Sequence, residues 1–219
     1  YPLADDPDIY VRYQLAFTLG ETTDGGRTSA LARIAARDPR DEWIQVAVLS
    51  SLSEGLGELF TLLMHKRSTY RKLSSGNTQD FDELLGVLGQ QLARKNDASE
   101  VAAALATIDT VPAPERRLAR TIVRELSLAS SRHGTRLETF LAERSKQAPA
   151  ILRELVEAAR ETIEDTSQSV KKRVSALRTL QLSALMEERE RIGVLLGSRA
   201  ANALQIAALR TLSHYSSSK

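Results

Sequence analysis

The sequence predicts an all-α protein, an α-solenoid of about six or seven helix pairs, on three observations. Apolar residues recur at helical spacing, and no stretch of useful length alternates with the period of two that a half-buried strand requires. The composition suits helices, because 42% of the 219 residues are hydrophobic, only 5% are aromatic, and the 26% that are charged are well mixed with the rest. A twelve-residue pattern also returns at multiples of about 32 residues.

Four segments carry this pattern, at residues 8–19, 41–52, 169–180 and 201–212. In the first two, an Asp opens the segment, a long polar residue follows four positions later and a Leu closes it. The residues that define the repeat are Asp8, Arg12, Ala16, Leu19, Asp41, Gln45, Leu49, Leu52, Arg173, Ala176, Leu180, Gln205, Ala208 and Leu212.

The spacing of the long polar residues gives the period. Arg12 and Gln45 are 33 residues apart, Arg173 and Gln205 are 32 apart, and the 128 residues between Gln45 and Arg173 are four times 32. A unit of this length is one helix–turn–helix, which is too small to bury its own apolar face and must stack on its neighbours. We therefore expect a single repeat domain over residues 1–219, with clear repeats at 8–53 and 169–215 and degenerate repeats between them.

Apolar stripes predict helices in the intervening region as well. One stripe has the spacing i, i+3, i+4, i+7, i+11 and consists of Phe81, Leu84, Leu85, Leu88 and Leu92. Shorter stripes predict helices over 101–108, 118–126 and 152–163. Asp8, Asp41 and Ser169 are predicted N-caps, since their side chains can accept the free amide hydrogens of a first turn. The Ser- and Gly-rich stretch 68–78 is predicted to be an extended loop.

The first repeat resembles a HEAT repeat. Asp8 and Arg12, followed by Ala16, Leu19 and Gly20, match the first helix of that family, in which a turn Asp and a following Arg commonly form a hydrogen-bonded ladder along the stack. The resemblance implies an armadillo-type fold, a right-handed superhelix of HEAT-like helix pairs whose second helices line a concave protein-binding face. The second repeat keeps Asp41 but has Gln45, and the third keeps Arg173 but has Ser169.

A more specific resemblance covers roughly the first 52 residues, carried by segments 11–21, 31–38 and 41–52. They are similar to the HEAT-repeat region of large haem-binding, membrane-bound dehydrogenases of planctomycete-type bacteria. In those proteins a propeller-like dehydrogenase domain and a cytochrome c domain with a Cys-x-x-Cys-His motif flank the repeats. The start Tyr1-Pro2-Leu3 lacks an initiator Met and a signal sequence. We therefore expect a module excised from a larger protein, exported or periplasmic if the resemblance holds.

Several kinds of chemistry are excluded or disfavoured by the residues. The chain has no cysteine, which excludes disulfides, thiolate metal sites, thiol catalysis and covalent haem attachment within it. No apolar run approaches the roughly 20 residues of a membrane span, so direct membrane insertion is not expected. His65, His133 and His214 are far apart and lack metal-ligand spacing. We expect no catalytic residue, no metal, no cofactor and no small-molecule substrate.

The leading functional hypothesis is a non-catalytic scaffold that binds a partner protein or neighbouring domains of the same polypeptide. Its densest aromatic patch comprises Tyr10, Tyr13, Phe17 and Trp43. We predict that these residues pack between the first repeats, and that an exposed part of the patch can anchor a partner. Short charge runs such as 187–191 are predicted to be solvent-facing.

The alternative is a self-contained HEAT-like protein that binds nucleic acid through Arg116, Arg117, Arg120 and Arg124. Nucleic acid is the less favoured partner, because glutamates are interleaved with these arginines, aromatic residues for base stacking are missing there, and the net charge is only +2. That charge is unevenly spread: residues 1–60 carry 5 basic and 10 acidic groups, and residues 61–219 carry 25 and 18. A continuous positive groove would favour nucleic acid, and an apolar patch among mixed charges would favour protein.

Overall fold

The computed structural model describes the chain apart from residues 74–77, 96, 112–114, 129–133, 198–199 and 217–219. The described residues contain twelve α-helices and no strand, which confirms the all-α prediction. A short 3₁₀ helix at Pro2–Asp5 precedes them. The α-helices are α1 Ile9–Gly20, α2 Arg27–Arg37, α3 Glu42–Ser50, α4 Leu56–Leu73, α5 Gln79–Lys95, α6 Ala98–Ile108, α7 Arg116–Leu128, α8 Gly134–Ala142, α9 Ala148–Glu164, α10 Val170–Leu180, α11 Leu185–Val194 and α12 Asn202–Ser216.

The chain divides into two compact units, residues Tyr1–Thr107 and Ile108–Lys219. The first holds α1 to α5 and nearly all of α6, and the second holds α7 to α12. The single repeat domain over residues 1–219 stays a prediction, and each unit is described by itself below.

In the first unit, helices pack on the helix after next: α1 on α3 and α2 on α4. The predicted N-caps are present, because the carboxylate of Asp8 accepts from the amide of Tyr10 at 2.8 Å and that of Asp41 from Ile44 at 2.9 Å. Aliphatic side chains of all four helices are fully buried between them, among them Leu31, Ile44 and Leu59.

Helices α1 and α3 run side by side in the same direction. Near their starts, Arg12 of α1 reaches Asp38, which lies just before α3. Near their ends, a Cβ added to Gly20 would lie 3.1 Å from the Cα and Cβ of Ser51. That distance leaves little room for any larger side chain, so glycine allows the two helix ends to approach closely.

In the second unit, α9 packs on α7, α8 and α10, while α12 packs on α10 and α11. Ser169 caps α10 as predicted, accepting from the amide of Lys172 at 3.4 Å. The start of α9 is held by Asp109, whose carboxylate accepts from the Ser145 hydroxyl at 2.7 Å and from the amide of Lys146 at 2.9 Å. At the other end of the unit, Tyr215 of α12 donates its hydroxyl to the carbonyl of Leu180 at 2.5 Å.

The predicted loop at 68–78 is wrong over residues 68–73, where α4 continues. The helix persists because its side chains bind α5: Arg67 is buried and donates to both oxygens of Asp82, at 2.6 and 3.0 Å. One turn later, the ring of Tyr70 lies 4.9 Å from that of Phe81. Residues 74–77 of the predicted loop lie outside the described residues.

Candidate functional site

Four residues that the repeat pattern makes equivalent also occupy equivalent places in the structure. Arg12, Gln45, Arg173 and Gln205 are each the fourth residue of their helix, in α1, α3, α10 and α12. Each donates a side-chain hydrogen bond to a main-chain carbonyl that lies six to ten residues earlier in the chain, before the start of its helix. The acceptors are the carbonyls of Asp6, Pro39, Ile163 and Gly197.

These four contacts serve one physical purpose. The carbonyls at the end of a helix or in the turn after it lack helical partners, and a long polar side chain can satisfy them. Gln45 donates to Pro39 at 2.7 Å, Gln205 to Gly197 at 2.8 Å, and Arg173 donates to Ile163 twice, at 3.0 and 2.8 Å. We call these four residues the carbonyl clamps.

Arg12 has an additional partner. Its Nε and Nη2 lie 2.8 and 2.6 Å from one carboxylate oxygen of Asp38, and the side chain is almost fully buried. The acid beside Arg12 is therefore Asp38, which follows α2, whereas Asp8 is occupied in capping α1.

The apolar members of the repeat pattern contribute to the cores of their units. Most are buried, namely Ala16, Leu19, Leu52, Ala176, Leu180 and Ala208, while Leu49 and Leu212 are half-buried. Their role is packing, as expected for a repeat whose periodic positions face its neighbours.

An exposed row of large apolar side chains lies on α1 and α3. It consists of Tyr10, Tyr13, Phe17, Trp43 and Val46, and we call it the aromatic seam. Tyr10 is 76% exposed, Trp43 70%, Val46 56% and Phe17 40%. Tyr13 is half-buried and meets Phe17 edge to face, with ring centroids 5.0 Å apart. The predicted packing role therefore fits Tyr13 best, because Tyr10 and Trp43 remain largely in solvent.

Helical spacing places the aromatic residues of the seam on two stripes, one on each helix. Tyr10, Tyr13 and Phe17 are spaced i, i+3, i+7, and Gly20 is the next residue on that stripe of α1. On α3, Trp43, Ala47 and Ser51 are spaced i, i+4, i+8 and share one face of the helix. Gly20 and Ser51 are the residues in close approach, so both stripes border the junction between α1 and α3.

The exposed charges next to the seam are mostly acidic. Asp8 precedes Tyr10, Glu42 precedes Trp43 and Glu21 follows α1, and all three are exposed. Arg40 is an exposed cation in the turn before α3. Among the other arginines of this unit, Arg12, Arg33 and Arg67 are held in ion pairs.

The arginines of the predicted basic face do not all have the same surroundings. Arg116 is bound to Glu154 of α9, with Nε 3.2 Å from Oε2 and a second contact from Nη2 to Oε1. Arg117, Arg120 and Arg124 are spaced i, i+3, i+7 on α7 and line a surface cavity of about 270 Å³. Arg116 lines the same cavity, so all four predicted residues border one opening, and no glutamate lies between them in the sequence.

This cavity adjoins a second one of about 390 Å³ that extends between α9 and α10. Both are lined by Arg124 and Leu155. Lys172 adds a cation on the α10 side, and hydroxyls line both cavities, from Thr121 in the first and from Thr162, Ser175 and Thr179 in the second. We call the two cavities together the basic groove. Among the described residues that line it there is no carboxylate.

No family model, curated protein or solved structure matches this chain.

A buried ion network occupies another part of the second unit, and sequence reasoning missed it. Glu188 of α11 is fully buried. Its Oε1 accepts from Nε of Arg160 at 2.9 Å and from the Ser183 hydroxyl at 2.8 Å, and its Oε2 accepts from Nη1 of Arg191 at 2.7 Å. The hydrogen bonds to Glu188 raise the pKa of Arg160 above the ordinary value of an arginine.

The prediction that the charge run 187–191 faces solvent is therefore wrong for Glu188. Leu185, Glu188 and Ile192 are spaced i, i+3, i+7, which places the glutamate on the apolar stripe of α11. This spacing was the signal in the sequence that could have revealed its burial.

A further cavity of about 490 Å³ lies beside this network, between α8, α9 and α11. It is lined by Glu154, Glu157, Arg160 and Glu187 among others. These charges neutralise one another or nearby residues, since Arg160 pairs with Glu157 at 3.2 Å and with Glu187 at 2.8 Å, and Glu154 pairs with Arg116.

In the part of the chain that the structure describes, no group of three His, Asp or Glu side chains is placed to hold a metal ion, and His133 lies outside that part. No helix in the same residues is long and apolar enough to span a membrane.

Proposed function

We propose that this chain is a protein-interaction module whose aromatic seam binds a partner. The observation that carries the proposal is the exposure of Tyr10 and Trp43 on two adjacent parallel helices. Trp and Tyr are the residues most enriched among those that dominate binding energy at protein interfaces. A row of several such side chains differs from the single apolar residues scattered over most surfaces.

The shape and charge of the seam indicate the kind of partner. Two parallel helices leave a shallow groove along their junction, and an amphipathic helix can place its apolar face in such a groove. The neighbouring exposed charges of Asp8, Glu21 and Glu42 favour a positively charged binding segment. The proposed ligand is therefore an amphipathic helix with a basic polar face, contributed by a partner protein or by a neighbouring domain of the same polypeptide.

The packing inside each unit supports a helical-repeat scaffold as the frame for this surface. Helices pack on the helix after next in both units, as α1 does on α3 and α10 on α12, which is the arrangement that stacked helix pairs produce. The carbonyl clamps repeat one contact in four helices. Twelve helices would form six HEAT-like pairs of the proposed α-solenoid.

Membership of a larger exported, haem-binding dehydrogenase-like protein is a further part of the proposal. It rests on the sequence resemblance of the first 52 residues. In such a protein this module would act through its surface alone, without catalysis and without a cofactor of its own.

Trp43 allows a direct test, because it is the one tryptophan of the sequence and lies in the seam. The full chain is titrated with a synthetic amphipathic Leu/Lys helix and with a Leu/Glu helix of the same apolar pattern. We expect a saturable blue shift of the tryptophan emission with the Leu/Lys peptide and much weaker binding of the Leu/Glu peptide. Equal binding of both peptides, or an absence of any shift, would contradict the proposal.

Variants localise the binding. Tyr10→Ala removes an aromatic residue of the seam and should weaken binding of the Leu/Lys peptide by about 30-fold, the effect of losing an interface anchor of about 2 kcal/mol. Met186→Ala, an equally exposed apolar residue in the second unit, is the matched control and should leave binding unchanged. If both variants weaken binding equally, the peptide is not bound in the seam.

A further inference from the structure

The basic groove holds positive charge that the protein itself does not neutralise. Of the residues described, Arg117 and Arg120 form no ion pair, and Arg124 pairs only with its neighbour Glu125, at 3.2 Å. Lys172 meets an uncharged partner, the amide oxygen of Gln168, at 3.4 Å. Arg160 and Arg191 in the same unit are each bound to two or more carboxylates. The groove therefore brings together three cations without an acidic partner, Arg117, Arg120 and Lys172, whereas Arg116, which also lines it, is paired with Glu154.

Arg124 also has a buried donor without a partner among the described residues. The Nε of Arg124 is inaccessible to solvent and has no hydrogen-bond partner in the structure, although a buried N–H normally has one. Arg124 lines both cavities of the groove. An anion lying across the junction of the two cavities would compensate the charge of this side chain.

The spacing of the cations selects among anions. Arg117 and Arg124 are seven residues apart on α7, which is about 10 Å along the helix axis. One strand of a nucleic acid duplex advances by about 3.4 Å per phosphate, so this row of three arginines spans about three phosphates. A single phosphoryl group would engage only part of the row, and Lys172 provides a fourth contact from α10.

The other lining residues indicate which part of a nucleic acid the groove can recognise. Proteins that bind single strands usually stack bases on aromatic side chains, and the described residues lining the groove include none. The hydroxyls of Ser175 and Thr179 can donate to phosphate oxygens, a contact that positions a backbone without specifying sequence. Those of Thr121 and Thr162 already donate to the carbonyls of Arg117 and Ala158.

We infer that the basic groove binds the phosphate backbone of double-stranded nucleic acid without reading its base sequence. The site is independent of the aromatic seam, which lies in the other unit. A protein partner at the seam and a nucleic acid at the groove are therefore separable functions, and each can fail without the other.

The test is fluorescence anisotropy with the full chain and labelled duplexes of about 20 base pairs, in two unrelated sequences. Four cation–phosphate contacts predict that affinity falls by about 100-fold between 50 and 200 mM salt. The two sequences should bind alike. Strong preference for one of them would overturn the backbone-only reading, and failure of both to bind at low salt would overturn the inference.

A charge-matched pair of double variants locates the site. Arg120→Gln with Arg124→Gln should weaken duplex binding by about 10-fold or more and lower the salt slope by about two. Arg178→Gln with Arg189→Gln removes the same charge at exposed positions that do not line the groove, and should have little effect. Equal losses of duplex affinity in the two double variants would show that the duplex is attracted by net charge alone, which also contradicts a site in the groove.

Two other phosphate-containing ligands test whether the groove is specific for nucleic acid. A phosphoserine peptide and phosphatidylserine-containing vesicles are measured with the same chain and the same two double variants. Groove-dependent binding of either one, together with no binding of duplex, would assign the groove to that ligand and overturn the inference. Circular dichroism of each variant establishes that the helices are intact.

Discussion

Arg160 of α9 binds the fully buried Glu188 of α11 through both its Nε and its Nη2, so that two helices share one charged contact. Ser183 and Arg191 complete the environment of the carboxylate. A buried charge with this many partners is tolerated only while all of them are in place.

We therefore expect Glu188→Gln to lower the free energy of unfolding by about 3 kcal/mol, because it leaves Arg160 and Arg191 facing an uncharged amide. Urea denaturation followed by circular dichroism measures the change. Glu190→Gln, an exposed residue of the same charge run, is the control and should change stability by less than about 0.5 kcal/mol. Similar decreases in the free energy of unfolding of both variants would mean that the buried network does not stabilise the fold more than an exposed glutamate does.

The carbonyl clamps predict that two substitutions of Arg12 lower the free energy of unfolding by different amounts. Arg12→Met retains the aliphatic volume but loses both the bridge to Asp38 and the bond to the carbonyl of Asp6. We expect a loss of about 2 to 3 kcal/mol. Arg12→Gln introduces the residue found at Gln45 and Gln205, which can still bond the carbonyl, and should lose about 1 kcal/mol less.

Thermal and urea denaturation of the two Arg12 variants measure this difference. If Arg12→Gln is as unstable as Arg12→Met, the clamp contact is not interchangeable between the repeats.

Two helical glycines should respond to alanine with opposite signs. A Cβ on Gly57 would lie 2.7 Å from the carbonyl oxygen of Glu100 and 2.8 Å from its Cα, so the backbones must separate. We expect Gly57→Ala to destabilise by about 1 to 3 kcal/mol. Gly86 in α5 has no atom within 4 Å of its Cβ position, and Gly86→Ala should stabilise by about 0.5 to 1 kcal/mol.

Melting temperatures of the two alanine variants, measured side by side, decide this prediction. A stabilising effect of Gly57→Ala would show that α4 and the start of α6 are not in the close contact described.

Tyr215 links stability to alkaline pH. Burial raises the pKa of Tyr215 from 10.0 to about 12. Between these two values the unfolded tyrosine loses its proton while the folded one keeps it, so the unfolded state binds fewer protons and stability falls as pH rises. Below about pH 10 this contribution is fully present.

Tyr215→Phe tests the effect. At neutral pH it should cost about 1 kcal/mol, because the hydrogen bonds to the carbonyls of Leu180 and Ser183 are lost. The stability difference between the native chain and this variant should shrink and then change sign between about pH 10 and pH 12, because the rise of the tyrosine pKa to about 12 outweighs the lost hydrogen bonds. A constant difference across that range, in urea denaturation at each pH, would disagree with a raised pKa.

Periodicity was sufficient to predict the fold class and many of the helices. The stripe from Phe81 to Leu92 lies within α5, and the three predicted caps at Asp8, Asp41 and Ser169 are observed. Helices α2, α4, α8 and α11 contain none of the predicted stripes or twelve-residue segments. For α4, the contacts of Arg67 and Tyr70 with α5 extend the helix into a Ser-rich stretch, and such tertiary contacts are invisible to local pattern.

The surfaces were predictable only as lists of residues. Spacing on α7 places Arg117, Arg120 and Arg124 on one stripe, but the ion pair between Arg116 and Glu154 depends on the packing of α7 on α9. Likewise, the exposure of Trp43 depends on which side of α3 meets α1. Sequence alone favoured burial, because aromatic residues usually pack.

The acceptor in each of the four carbonyl clamps is a main-chain carbonyl, so the sequences of the repeats can diverge without loss of this contact. A carbonyl is present whatever side chain the connecting residue carries, so Asp6, Pro39, Ile163 and Gly197 can be chemically unrelated and still receive the same bond. The donor needs only length and an N–H group, which arginine and glutamine both provide. Such an arrangement lets the connections between helices vary freely in composition while the anchoring point of each helix stays constant.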